Sequence, residues 1–149
     1  MTNETNPKLI DILLVEDNKA DSRLTQEFFK DSKIKNSLFI VEDGVEAINF
    51  LRKRGKFIDV PCPDLILLDL NLPQKDGREV LAEIKADDNL KRIPVVIITS
   101  SKAEEDILKS YNNHANCFIT KPLDLNQFEN IVRSIEDFWM TIVKLPKNE

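Results

Sequence analysis

The sequence predicts an α/β fold, a doubly wound (βα)5 domain around a central five-stranded parallel sheet. Three observations carry that expectation. Four short apolar runs lack the alternation of a half-solvated strand, segments of helical spacing separate them, and each run closes on polar residues. The runs are LIDILLV (9–15), DLILLDL (64–70), PVVIITS (94–100) and ANCFITK (115–121). Unbroken apolarity over so few residues, rich in Ile and Val, suits parallel strands covered on both faces. A weaker fifth, SLFIVED (37–43), is stopped by Asp43-Gly44.

The intervening segments are read as helices. Residues 20–33 bring Leu24, Phe28 and Phe29 toward one face, and residues 44–54 do the same with Val45, Ile48 and Leu51. GREVLAEIK (77–85) offers Val80, Leu81 and Ile84. Ser101 with Glu104, and Asp124 with Gln127, have capping-box spacing at the starts of the last two helices. The final stretch repeats Leu125, Phe128, Ile131, Val132, Ile135, Phe138 or Trp139, and Ile142.

Bulk properties bound the possibilities. The 149 residues are 42% hydrophobic and 32% charged, enough apolar material for one core and too much for a disordered chain. One domain is expected over 8–145, with polar tails at 1–7 and 146–149. A net charge of -5 argues against a general nucleic-acid binder, and the basic stretches LKRIP and FLRKRGKF are short and flanked by acids. Cys62 and Cys117 have neither CxxC spacing nor nearby histidine clusters, so buried thiols in a reducing compartment are expected rather than a zinc or redox site. No basic-then-apolar leader and no 18-residue apolar run is present, so the expected location is cytoplasmic. The 28 residues after Lys121 suffice for a last helix and a tail, and no fused DNA-binding domain is expected.

Ligands of a doubly wound sheet sit beyond the carboxyl ends of its strands. Glu16 and Asp17 close the first strand and Asp69 the third. If those strands are neighbours, the three carboxylates converge, and two like charges about 4 Å apart at an effective dielectric near 20 repel by roughly 4 kcal/mol. Protonation or a cation must relieve that repulsion. Three hard oxygen donors suit Mg2+, with phosphate completing the shell. Thr99 ends the fourth strand, where its hydroxyl can donate to a phosphoryl oxygen. Lys121 ends the fifth, where its ammonium can pair with Asp69 or its phosphoryl group. Asp69 is then the nucleophile of an aspartyl-phosphate, the Asn71 carbonyl a further ligand for the ion, and Asp76 the cap of the helix after it.

VEDN, DLILLDLNLPQKDG, VVIITS and ITKP resemble the receiver domain of two-component response regulators, over roughly residues 8–138. The resemblance implies a flavodoxin-like receiver fold and phosphoryl transfer from a kinase histidine to Asp69. It further implies that Asp17 binds Mg2+ directly, Glu16 mainly through water and Asn71 through its backbone. Thr99 and Phe118 would be switch residues, with Phe118 also open to a plain packing role. ADSRLTQEFF, LKRIPVVIITS, ANCFITKPLDL and IEDFWMTIVKLP are similar to the small single-domain regulators of cyanobacterial and bacterial phytochrome histidine kinases. A phytochrome-type light sensor is the donor that this implies. Lys75 and Ser100 depart from the common receiver pattern, where methionine and alanine are frequent, and Asn71 stands where family members tune the attacking water.

Other readings fit less well. A flavin's phosphate would be repelled by Glu16 and Asp17. A dehalogenase-like phosphatase needs a second aspartate two residues after its nucleophile, where Asn71 stands. His114 falls just before a strand and reads as a loop residue. The chain is thus expected to catalyse its own phosphorylation and dephosphorylation without being a conventional small-molecule enzyme, and to signal through protein contacts. The alternative is a phosphorylation-independent interaction module on the same fold. Phe138, Trp139, Ile142 and Val143 cannot share one helix face. They are expected to form a homodimer surface, with local packing under the tail as the other possibility.

Overall fold

The computed structural model describes residues 9–31, 35–99, 117–121 and 130. In chain order these form β1 (Ile10–Val15), α1 (Lys19–Lys30), β2 (Asn36–Val41), α2 (Gly44–Leu51), a short 3-10 turn (Gly55–Phe57), β3 (Leu65–Asp69), α3 (Gly77–Ala86), β4 (Val95–Thr99) and β5 (Cys117–Thr120). The strands make one parallel sheet in the order β2-β1-β3-β4-β5. β1 and β3 are therefore neighbours, with Val15 level with Leu68. The order reverses between β1 and β3, which opens a crevice at their carboxyl ends.

Successive residues of each strand point to opposite faces, and the core divides accordingly. Leu13, Val15, Ile66, Leu68, Val95 and Ile97 meet the helices α2 and α3 through Ala47, Ile48, Phe50, Val80, Leu81 and Ile84. Ile12, Leu14, Leu65, Leu67, Val96, Ile98 and Ile119 meet α1 through Phe29, with Phe28 at the margin. Helices on both faces make the doubly wound fold, and they explain why β3 and β4 are buried at every position.

Side-chain caps start α1, α2 and α3. Asn18 caps α1 by accepting the Asp21 N–H, Asp43 caps α2 by accepting the Glu46 N–H, and Asp76 with Glu79 forms a capping box at α3. Asn18 as the cap of α1 leaves Glu16 and Asp17 available for other partners.

Three expectations need correction. Leu24 is exposed, and α1 buries Thr25 and Phe29 instead, one turn apart; the Thr25 hydroxyl is satisfied by the Asp21 carbonyl at 3.0 Å, which lets a polar residue hold a core position. Val45 is likewise exposed, because α2 turns Ala47, Ile48, Phe50 and Leu51 inward. Cys62 is exposed rather than buried, since it lies on the connection between the 3-10 turn and β3. The expected helices over 101–111 and 124–146, His114 and the set Phe138, Trp139, Ile142 and Val143 lie outside the described residues. Among the described residues no helix is long and apolar enough to cross a membrane.

Candidate functional site

β1 runs apolar until it emerges from the sheet, and Glu16 and Asp17 are the next two residues. Glu16 is almost fully buried while Asp17 is exposed. The Glu16 carboxylate accepts the Asn18 N–H at 3.1 Å, which holds it against the turn into α1. On the adjacent strand Asp69 is buried, and its Oδ1 accepts the Asn71 N–H at 2.9 Å. One carboxylate oxygen from each of Glu16, Asp17 and Asp69 lies within 4.8 Å of the other two.

The turn after Asp69 is shaped by close packing. A Cβ on Gly77 would stand 2.5 Å from the Asp69 carbonyl oxygen and 2.7 Å from the Leu70 Cα, so α3 can start this close to the strand end only on glycine. The Gly77 N–H donates to the Leu70 carbonyl at 3.1 Å. Gln74, in the same turn, has φ of 67°, a left-handed conformation that costs a non-glycine residue about 1 kcal/mol.

Lys121 follows β5, and its backbone N–H donates to the Thr99 carbonyl at 2.6 Å. Its ammonium sits among three carboxylates, 2.8 Å from Asp69 Oδ2, 2.8 Å from Asp21 Oδ2 and 3.0 Å from Glu16 Oε1. A lysine has three N–H donors, so the arrangement can satisfy all of them. Thr99 is fully buried one residue beyond Ile98, the β4 partner of Asp69. Phe118, on β5 beside Ile97, is half-buried and packs on the α2 and α3 side of the core.

Electrostatics set the charge states. Burial, reinforced by a hydrogen bond to Asp69 and by repulsion from it, pushes the Glu16 carboxyl up to about 7 despite the opposing pull of Lys121. Burial alone would depress Lys121. Hydrogen bonds to Asp21, Asp69 and Glu16 outweigh it and hold the ammonium above its ordinary range. The cluster holds more negative charge than one lysine can neutralise. Three hard oxygens at this spacing fit a small divalent cation, whose opposed ligands stand about 4 Å apart.

The structure thus brings together Glu16, Asp17, Asp69 and Lys121, all named from the sequence. It places Thr99 at the next strand end and Asn71 on the turn beside Asp69. Asp21 was not anticipated. Its signal was an acid in the first turn of a helix that begins at the acidic strand end, where side chains lean back toward the helix start.

A response regulator receiver domain profile matches residues 12–133. The chain belongs to the response regulator receiver family. This receiver is 53% identical over 146 residues to "Response regulator Rcp1" of Synechocystis sp., covering 98% of this chain and 99% of that protein. The crystal structure of the phosphorylated cyanobacterial phytochrome response regulator RcpA is similar, with a TM-score of 0.76 at 53% identity over 94% of the receiver and 100% of that chain. The Mn(2+)-bound form of Rcp1 gives a TM-score of 0.74 at 54% identity, over 93% of the receiver and 99% of that chain. The receiver therefore acts as a response regulator, and the cluster of Glu16, Asp17 and Asp69 is its candidate metal site.

Proposed function

We propose that this receiver takes a phosphoryl group from a histidine kinase onto Asp69, with Mg2+ held by Glu16, Asp17, Asp69 and the Asn71 carbonyl. The observation that carries the reading is the meeting of three carboxylates within 4.8 Å and a lysine ammonium 2.8 Å from Asp69. The Asn71 N–H fixes one Asp69 oxygen and Lys121 the other, so the carboxylate is oriented before the donor arrives. A carboxylate oxygen of Asp69 forms the new O–P bond while the P–N bond to the kinase histidine breaks, and the imidazole leaves with the electron pair. Mg2+ supplies charge neutralisation at the phosphoryl oxygens when bound. Lys121 neutralises a further share, and the Thr99 hydroxyl donates to a phosphoryl oxygen. Movement of Thr99 and Phe118 then reports the modification to the surface around β5.

The donor is a phytochrome-type kinase. Support comes from the near-complete overlap, at 53% identity, with a protein described as a cyanobacterial phytochrome response regulator. The receiver self-associates through the segment carrying Phe138, Trp139, Ile142 and Val143, four large apolar residues within six positions, a spacing that at about 100° per residue would not fall on one helix face. Light scattering should find a dimer that Phe138→Ala with Trp139→Ala weakens at least tenfold; a monomer at 100-fold the working concentration would overturn this.

Intact mass tests the central claim. Incubation with magnesium and a small phosphodonor should add one phosphoryl group, and chelator or Asp69→Asn should remove it. A phytochrome kinase should then transfer phosphate at different rates in its two light states. A folded protein that takes phosphate from neither source would be an interaction module independent of phosphorylation.

A further inference from the structure

Asp21 is the residue of the site that no sequence pattern identified, and its contact with Lys121 differs in kind from the other two. On the phosphoacceptor reading, Glu16 is drawn toward the metal ion and Asp69 becomes the modified group. Both of their hydrogen bonds to the ammonium then change during the reaction. The 2.8 Å hydrogen bond to Asp21 Oδ2 lies outside that chemistry. We infer that Asp21 is a positioning residue, the constant anchor that holds the Lys121 ammonium over the reacting carboxylate while its bonds to Glu16 and Asp69 are exchanged.

The anchor is itself fixed. The Asp21 N–H donates to Asn18 Oδ1 at 3.0 Å, and its carbonyl accepts the hydroxyl of Thr25, a buried residue, at 3.0 Å. The first turn of α1 is thereby tied both to its cap and to the core. The Asp21 side chain is 35% exposed while that of Lys121 is 17% exposed, so Asp21 is the more solvent-accessible partner of this ion pair. A lysine has four rotatable bonds and gives up substantial rotamer freedom when held in one place. A partner that survives every step of the reaction keeps the side chain ordered before the donor arrives, which is the use of preorganisation in phosphoryl transfer. The position of α1 relative to β5 then sets where the ammonium stands.

The inference rests on the phosphoacceptor reading, and the experiment separates the two. Phosphoryl uptake from a small donor at saturating magnesium would be compared for the native chain, Asp21→Asn and Asp21→Glu. The maximal rate of Asp21→Asn should fall about tenfold, the worth of one charge-assisted hydrogen bond missing from the transition state. Half-saturation by donor should stay within about threefold, because Asp21 touches neither donor nor metal in this arrangement. Asp21→Glu, which keeps the charge within reach, should recover most of the rate. The 15Nζ signal of Lys121 provides a second readout that needs no phosphate. It should exchange slowly with water in the native and Asp21→Glu chains and fast in Asp21→Asn. Unchanged or faster uptake in Asp21→Asn, or a slowing that Asp21→Glu shares, would overturn the anchor role. Failure of the native chain to take phosphate would sink the phosphoacceptor reading instead, and the lysine signal would still decide whether Asp21 holds the ammonium.

Discussion

The buried Glu16 is where the charge balance of the site is tightest. Its carboxyl is raised from 4.5 to about 7 in the folded protein, mainly by burial. Below about 4.5 the folded and unfolded chains both hold the proton, and Glu16 costs nothing. Between 4.5 and about 7 the folded state keeps a proton that the unfolded chain releases, so stability falls as pH rises through that window and levels off above it. The metal-free receiver should therefore gain stability from pH 8 to pH 6, measured by urea unfolding, and magnesium should bind more weakly at pH 6 because it must displace that proton. A magnesium affinity equal at the two values would contradict the assignment. Asp69→Asn bears on the same balance. Asparagine can still accept the Asn71 N–H, Lys121 keeps Glu16 and Asp21, and the repulsion that helps raise Glu16 disappears. We expect metal-free Asp69→Asn to be more stable than the native chain at pH 8 by about 1 kcal/mol. A destabilisation of that size would show that the attraction of Lys121 outweighs the repulsion.

At the scale of elements, the site depends on how closely α3 follows β3. Gly77→Ala would place a methyl 2.5 Å from the Asp69 carbonyl and against the Leu70 backbone, atoms that move only if the strand end or the helix start moves. The expected cost is about 2 kcal/mol in urea unfolding, together with slower phosphoryl uptake as Asp69 shifts. A variant as stable as the native chain would show that the junction yields. This junction was legible in the sequence, because an apolar run ending in Asp69 and an Asp76 placed to cap the helix after it each have one local reading. The inward face of α1 was not. Leu24 and Thr25 are adjacent, and hydrophobicity favoured the leucine, whereas the structure buries the threonine, whose hydroxyl finds a backbone carbonyl. Asp21 escaped for a different reason. Its partner lies 100 residues away, and only the arrangement of α1 beside the end of β5 joins them.

The whole molecule assembles the site from parts that are separate in the chain. Lys121 reaches Asp69 across 52 residues, and Glu16 across 105. An unfolded chain cannot gather these groups, so a cation that binds the cluster binds the folded state and stabilises it by RT ln(1 + [L]/Kd). At ten times its dissociation constant magnesium should add about 1.4 kcal/mol, seen as a rise in melting temperature of a few degrees. A chain of net charge -5 also gains from simple screening by salt, and the two effects must be separated. Asp17 makes the separation possible, because it is the exposed member of the metal cluster. Solvent screens the repulsion of an exposed carboxylate, so Asp17→Asn should melt at or slightly above the native chain without metal. It should nonetheless lose most of the magnesium response, while sodium chloride at matched ionic strength moves both proteins alike. If Asp17→Asn responds to magnesium as the native chain does, the ion acts on the diffuse negative charge of the surface, and the convergence of Glu16, Asp17 and Asp69 is not where it binds.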